Sequence, residues 1–205
     1  MDQEYFPLAS IQSGETNMLN PQVTKFYVQL VEDTMLVGDR LAPQIEQAAT
    51  MLANALIAGK TIYTCGQSNA GLISQILSDN LALGTRIERP GFPSINLNQL
   101  TQNHSTERRF APMLLTHAHQ SDLLVIISRG GSDDDLVRSA EVAMDLGMSM
   151  ILFAHKSDAI LMESLGYGDL CIDMSQFDES LLSTLQFQAV ECLCSLIDQI
   201  ILGGS

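Results

Sequence analysis

Two short runs of small and polar residues carry most of the chemistry in this chain. In the first, Gly66-Gln67-Ser68-Asn69, a hydroxyl and two carboxamides follow the β-forming run Ile62-Tyr63-Thr64-Cys65. They precede a segment whose Ala70, Ile73, Ile76, Leu77 and Leu81 repeat at helical spacing. A strand that turns directly into a helix leaves backbone N–H groups free at the helix start. Those groups, with the positive end of the helix dipole, suit an anion. The second run, Ser128-Arg129-Gly130-Gly131-Ser132, repeats the design after Leu123-Leu124-Val125-Ile126-Ile127. Arg129 adds a planar guanidinium that can give a phosphate or carboxylate two parallel bonds. Two such turns in one parallel sheet would hold a ligand such as a sugar phosphate at the strand ends. Compact turns that bind nothing have the same composition, and the turns alone leave both readings open.

Further polar residues are candidates, each with a plainer role. Ser132-Asp133-Asp134-Asp135 reads first as an N-cap with acidic first-turn residues, which would repel a phosphate and offer Arg129 an ion pair. His117 and His119 sit at a predicted helix end, where histidine is favourable; no third ligand is near, so no metal is expected. His104 lies in the polar loop Asn103-His104-Ser105-Thr106, and His155 follows a strand ending in Phe153. Glu191 is a charge on an otherwise apolar helix and is a candidate acid–base group. No Walker, GxSxG, GxGxxG or HExxH pattern occurs.

The elements that must position these residues alternate. Strands are expected near 61–65, 94–98, 122–128, 149–153 and 169–173, and helices near 69–83, 106–118, 133–146, 157–165 and 178–202. This rhythm predicts an α/β fold, a five-stranded parallel sheet covered on both faces. Before it, Val23, Phe26, Tyr27, Leu30 and Val31 stripe one helix, and Ile45, Ala48, Leu52 and Leu56 stripe a second after Gly38 and Pro43. Residues 1–20 read as a loose arm and 21–205 as a single domain. The last helix is apolar on nearly every face, so one side is expected to meet another subunit.

Of 205 residues, 46% are apolar, enough for a full core. The net charge of −14 opposes direct contact with nucleic acid or an anionic membrane, and permits a basic protein partner. Cys65, Cys171, Cys192 and Cys194 form no C-x-x-C pair, and buried reduced thiols in a cytoplasmic protein are expected. The chain opens on Met1-Asp2-Gln3-Glu4, unlike a signal peptide, and no apolar run suggests a membrane span.

The chain resembles the sugar isomerase (SIS) domain family, in its phosphoheptose isomerase branch. Cys65-Gly66-Gln67-Ser68-Asn69-Ala70 stands where that family has Cys-Gly-Asn-Gly-(Gly/Thr)-Ser, and Ser128-Arg129-Gly130-Gly131-Ser132 where it has Ser-Thr-x-Gly-Asn-Ser. Arg89-Pro90-Gly91-Phe92-Pro93 matches its lead into the second strand. The similarity spans about residues 22 to 202. It implies a three-layer α-β-α SIS fold behind two N-terminal helices, a tetramer, no cofactor, and a phosphosugar cleft at Gln67, Ser68, Asn69, Ser128, Arg129, Gly130, Gly131 and Ser132. Arg129-Gly130 and Cys192-Leu193-Cys194-Ser195-Leu196-Ile197-Asp198 further resemble a branch member that associates with the replication initiator DnaA. The implied role is therefore a non-catalytic regulator of replication initiation. The isomerases carry a histidine and a glutamate where this chain has Ile76 and Asn80, and a glutamine and a histidine at Ser183 and Glu191. Isomerisation needs a positioned acid and base. The alternative is a phosphoheptose isomerase with a rebuilt site at His104 and Glu191, converting sedoheptulose 7-phosphate to glycero-manno-heptose 7-phosphate.

Overall fold

A computed structural model describes residues 20–84, 88–101, 109–131 and 133–203. The arm at 1–19, the loop that holds His104, and Ser132 lie outside the described residues. The strands are β1 (Ile62–Gly66), β2 (Ser94–Asn96), β3 (Leu123–Ile127), β4 (Ser149–Ala154) and β5 (Leu170–Asp173). They form one parallel sheet in the order β2-β1-β3-β4-β5. The helices are α1 (Pro21–Ile57), α2 (Ser68–Leu83), α3 (Leu97–Leu100), α4 (Phe110–His117), α5 (Asp134–Asp145), α6 (Ala159–Glu163) and α7 (Glu179–Leu202).

Alternation along the strands builds the two cores. Ile62, Leu123, Val125, Ile127, Ile151 and Phe153 face α1, α2 and α7. Tyr63, Cys65, Leu124, Ile126, Met150 and Leu152 face α4, α5 and α6. With both faces covered, the inner strands read as continuous apolar runs.

The two expected N-terminal helices are one, α1, unbroken through Pro43. A proline inside a helix costs about 3 kcal/mol. Here the buried stripe Val37, Leu41, Ile45, Ala49, Leu52 and Leu56 runs past Pro43, and burying it holds the helix through the defect. Asn20 caps the start, its side chain accepting from Gln22 N at 3.0 Å.

Helix α7 is long and apolar enough to cross a membrane by length and composition, contrary to the expectation that no run was. In this fold its inner face packs Leu182, Leu185, Ala189, Val190 and Leu193 into the core. Its outer face leaves Phe187, Cys192, Ile200 and Leu202 exposed in the single chain, so neither the helix nor all its thiols are buried all round. The N-terminal half of α1 likewise exposes Val23, Phe26, Tyr27, Val28, Val31 and Met35.

Candidate functional site

The strand order reverses direction between β1 and β3, so their carboxyl ends flank a topological switch point, where ligands of open α/β sheets bind. Both glycine turns leave the sheet there. At the first, a Cβ on Gly66 would lie 2.7 Å from the Ala70 backbone and from Ile127 O, so only glycine fits. Asn98 clamps the same residue from both sides, accepting from Gly66 N at 3.1 Å and donating to Gly66 O at 2.8 Å. Gln67 is the N-cap residue of α2 but makes no capping bond with its side chain. Ser68, at φ 50°, and Asn69 are exposed beside that helix start.

The second turn is arranged differently. Asp133, not Ser132, caps α5: its carboxylate accepts from Asp135 N at 3.0 Å and Leu136 N at 3.1 Å. Asp133 reaches both amides with one oxygen, so the cap falls one residue later than the sequence suggested. Among the described residues Arg129 pairs not with this cluster but with Glu179, at 3.9 Å, and Arg109 takes Asp135 instead, at 3.2 Å. Gly130 has φ +94°, and a Cβ there would meet Lys156 O at 2.3 Å.

Ser128 is fully buried and joins the loops at this edge. Its hydroxyl donates to Asp158 Oδ1 at 2.9 Å and accepts from Gln67 Nε2 and Gly130 N, each at 3.1 Å. Its carbonyl accepts from Gln186 Nε2 of α7 at 2.6 Å. Asp158 Oδ2 in turn accepts from His155 N at 2.8 Å. The imidazole Nε2 of His155 lies 3.1 Å from Phe177 O, which fixes it as the donor. Burial pushes the Asp158 carboxyl above its usual range, against the pull of the His155 N–H, the Ser128 hydroxyl and the His155 charge. Beside this network, Arg129, Gly130, Gly131, Lys156, Asp178 and Glu179 line a polar cavity of about 490 Å³.

The structure therefore brings Gln67, Ser128, Arg129, Gly130 and Gly131 together, with Ser68 and Asn69 on the adjoining rim. Glu191 is elsewhere. It accepts from Asn80 Nδ2 at 2.8 Å, near the far end of α2. Asn80 is twelve residues along that helix from Ser68, about 18 Å at the α-helical rise. Asn98, Asp158 and Gln186 were not singled out from the sequence. Only Gln186 carried a signal, as an amide within the apolar run of α7.

A doubly wound α/β domain with paired turns at its switch point defines a class of ligand-binding and enzymatic proteins. The SIS domain model matches residues 26–154, more than half of the chain, and the chain belongs to that family. It is 27% identical to a phosphoheptose isomerase of Halorhodospira halophila over 81% of this chain and 87% of the relative. It is 25% identical to the DnaA initiator-associating protein DiaA of Cronobacter sakazakii over 84% of this chain and 91% of the relative. A solved phosphoheptose isomerase from Francisella tularensis superposes with a TM-score of 0.79 at 22% identity, covering 87% of this chain and 97% of that one, and bears out the fold.

Proposed function

We propose that this protein is a non-catalytic SIS-domain oligomer that binds a phosphosugar-type ligand and regulates replication initiation in the cytoplasm by associating with DnaA. The observation that carries the reading is the pairing of Glu191 with Asn80: on α2, where the isomerases carry a histidine and a glutamate, Glu191 meets a carboxamide, and Ile76 supplies neither acid nor base. Around the turns, the carboxylates of Asp133, Asp158 and Asp178 each accept backbone or hydroxyl bonds, and the exposed carboxylate of Glu179 lies 3.9 Å from Arg129. An aldose–ketose isomerisation needs a positioned base and a matching acid. Arg129 and Lys156 suit the anionic end of the ligand, with the α2 N-terminus. Similarity to DiaA supports DnaA as partner. The exposed apolar faces of α1 and α7 support homo-oligomer contacts, in a tetramer that would present several copies of one partner patch.

Titration with sedoheptulose 7-phosphate, followed by product analysis and a DnaA pull-down, tests this reading. Binding without turnover, with capture of DnaA, is expected; turnover overturns it. The second reading, a phosphoheptose isomerase, draws support from the 27% identity to such an enzyme. Turnover abolished by His104→Ala or Glu191→Gln would establish it.

A further inference from the structure

Helix α1 and the segment that leads from β5 into α7 border a second cavity, of about 530 Å³, within the size range of small-ligand pockets. Helix α1 contributes Lys25, Phe26 and Asp33 to its lining, and the opposite side contributes Lys156, Asp178 and Leu181. It adjoins the cavity of Arg129 through Lys156 and Asp178, but no residue of either glycine turn lines it.

The charges around this cavity are not paired with one another. Asp33 is buried, at 7% exposure; its Oδ1 accepts from Gln29 Nε2 at 3.0 Å, and its Oδ2 is buried with no hydrogen-bond partner. Such an oxygen costs about 1–3 kcal/mol, more when it carries charge. Among the described residues, Lys25 and Lys156 make neither an ion pair nor a hydrogen bond, whereas Arg89, Arg109 and Arg138 each hold a carboxylate. Lys25 precedes Asp33 by eight residues, about 12 Å along the helix, so the two are set apart rather than paired. Asp178 is already served by Ser180, whose N–H and hydroxyl donate to it at 2.8 and 2.6 Å. One unmet acceptor and two unmet cations therefore share the cavity. A simple anion would answer the lysines and be repelled by Asp33; a polyamine would answer Asp33 and be repelled by both lysines. A molecule that carries both an ammonium and a carboxylate answers all three.

We propose that this cavity binds a free α-amino acid with an apolar side chain: its ammonium donates to Asp33 Oδ2, its carboxylate accepts from Lys25 and Lys156, and its side chain lies against Phe26 and Leu181. Both contacts are charge-assisted, the stronger kind of hydrogen bond. The buried Asp33 fixes the ammonium, and the two exposed lysines, on flexible stems, close on the carboxylate. Gln29 is exposed, so its amide can turn aside as the ammonium reaches the Asp33 carboxylate. The site needs neither the phosphosugar ligand nor DnaA.

Calorimetric titration of the full chain with leucine, methionine and phenylalanine tests the proposal. At least one is expected to bind. Its N-acetyl derivative, which lacks the ammonium, and its amide, which lacks the carboxylate, should each bind about tenfold more weakly. Asp33→Asn, which keeps the shape of the side chain and removes its charge, and Lys25→Gln should each weaken the free amino acid by a similar factor. Lys25 is exposed, so its variant keeps the test readable if Asp33→Asn does not fold. No binding of any of the three at millimolar concentration overturns the proposal and leaves water, or a side chain of a neighbouring copy, as the partner of Asp33. Binding that survives the loss of either charge from the ligand overturns it too, as does equal binding by wild type and the folded variants, which would place the amino acid elsewhere.

Discussion

The β1–α2 and β3–α5 turns leave neighbouring strands at the same edge of the sheet, and they use their helix N-termini in opposite ways. At α5 the amides of Asp135 and Leu136 are taken by Asp133, and Asp134 and Asp135 add charge to the first turn. The positive end of that helix is neutralised from within. At α2 no side chain caps the helix, no acidic residue stands in its first turn, and Ser68 and Asn69 are exposed there. One turn is open to an anion through its backbone. At the other, the side chains of Arg129 and Lys156 line one cavity together with Asp178 and Glu179. At the second turn the Asp133 carboxylate takes the helix amides that the first turn leaves without a side-chain cap.

What the two turns share is close packing, and breaking it should have the largest effect. Gly66→Ala and Gly130→Ala each force a Cβ onto backbone atoms, at 2.7 Å and 2.3 Å. Each is expected to lower stability by about 3 kcal/mol or more, read from urea denaturation midpoints. Gly131 at φ +90° has no atom within 4 Å of such a Cβ, so Gly131→Ala should cost only backbone strain, about 1 kcal/mol. Equal losses at Gly130 and Gly131 would show that strain, not contact, governs the second turn.

Ser128→Ala comes next. It removes the acceptor for Gln67 Nε2 and Gly130 N and the donor to Asp158 in one step. A loss of about 2 kcal/mol is expected by the same measurement. It should also loosen Gln67 and so couple the second turn to the first; a double-mutant cycle with Gln67→Ala checks this, since independent turns would give additive losses.

The sheet was legible because its strands are buried on both faces, and runs such as Leu123–Ile127 announce themselves. The helices on it were legible from spacing and glycine stops. Helix α1 was misread at Pro43 because local propensity points to a break there, and only the long buried stripe against the core reverses it. At the site, glycine and hydroxyl residues marked both turns, but a motif shows neither which oxygen accepts which N–H nor what occupies a helix end. Asp133 looked like one acidic residue among three. Asp158 and Gln186 come from distant segments, and only folding brings them to Ser128.

A smaller effect sharpens the contrast between the turns directly. Asp133→Ala should lower stability by about 1 kcal/mol through the lost cap. It should at the same time raise affinity for inorganic phosphate, because two helix amides become free. Ser68→Ala, exposed at the open turn, should change stability by less than about 0.5 kcal/mol. Phosphate affinity unchanged in Asp133→Ala, by calorimetry, would mean that the capping carboxylate is not what closes the second turn.

The smallest expected effect is a pH dependence, and its sign separates two carboxylates at this edge. Burial raises the folded-state pKa of Asp158 above the ordinary 3.8. The folded chain then holds that proton more tightly than the unfolded chain. The contribution of Asp158 is fully present below pH 3.8 and is lost as pH rises through the raised value. Asp178 is the reverse. The Ser180 hydroxyl and N–H bonds hold its carboxyl below the usual range, so its contribution is present above pH 3.8 and is lost on acidification through its lowered value. Denaturation of wild type, Asp158→Asn and Asp178→Asn across pH 3 to about 6 reads both. Relative to wild type, Asp158→Asn should gain stability as pH rises, and Asp178→Asn should gain as pH falls. A difference between wild type and Asp158→Asn that stays constant across the range would mean that the carboxyl beneath Ser128 reaches water. The buried network would then be open to solvent at the second turn.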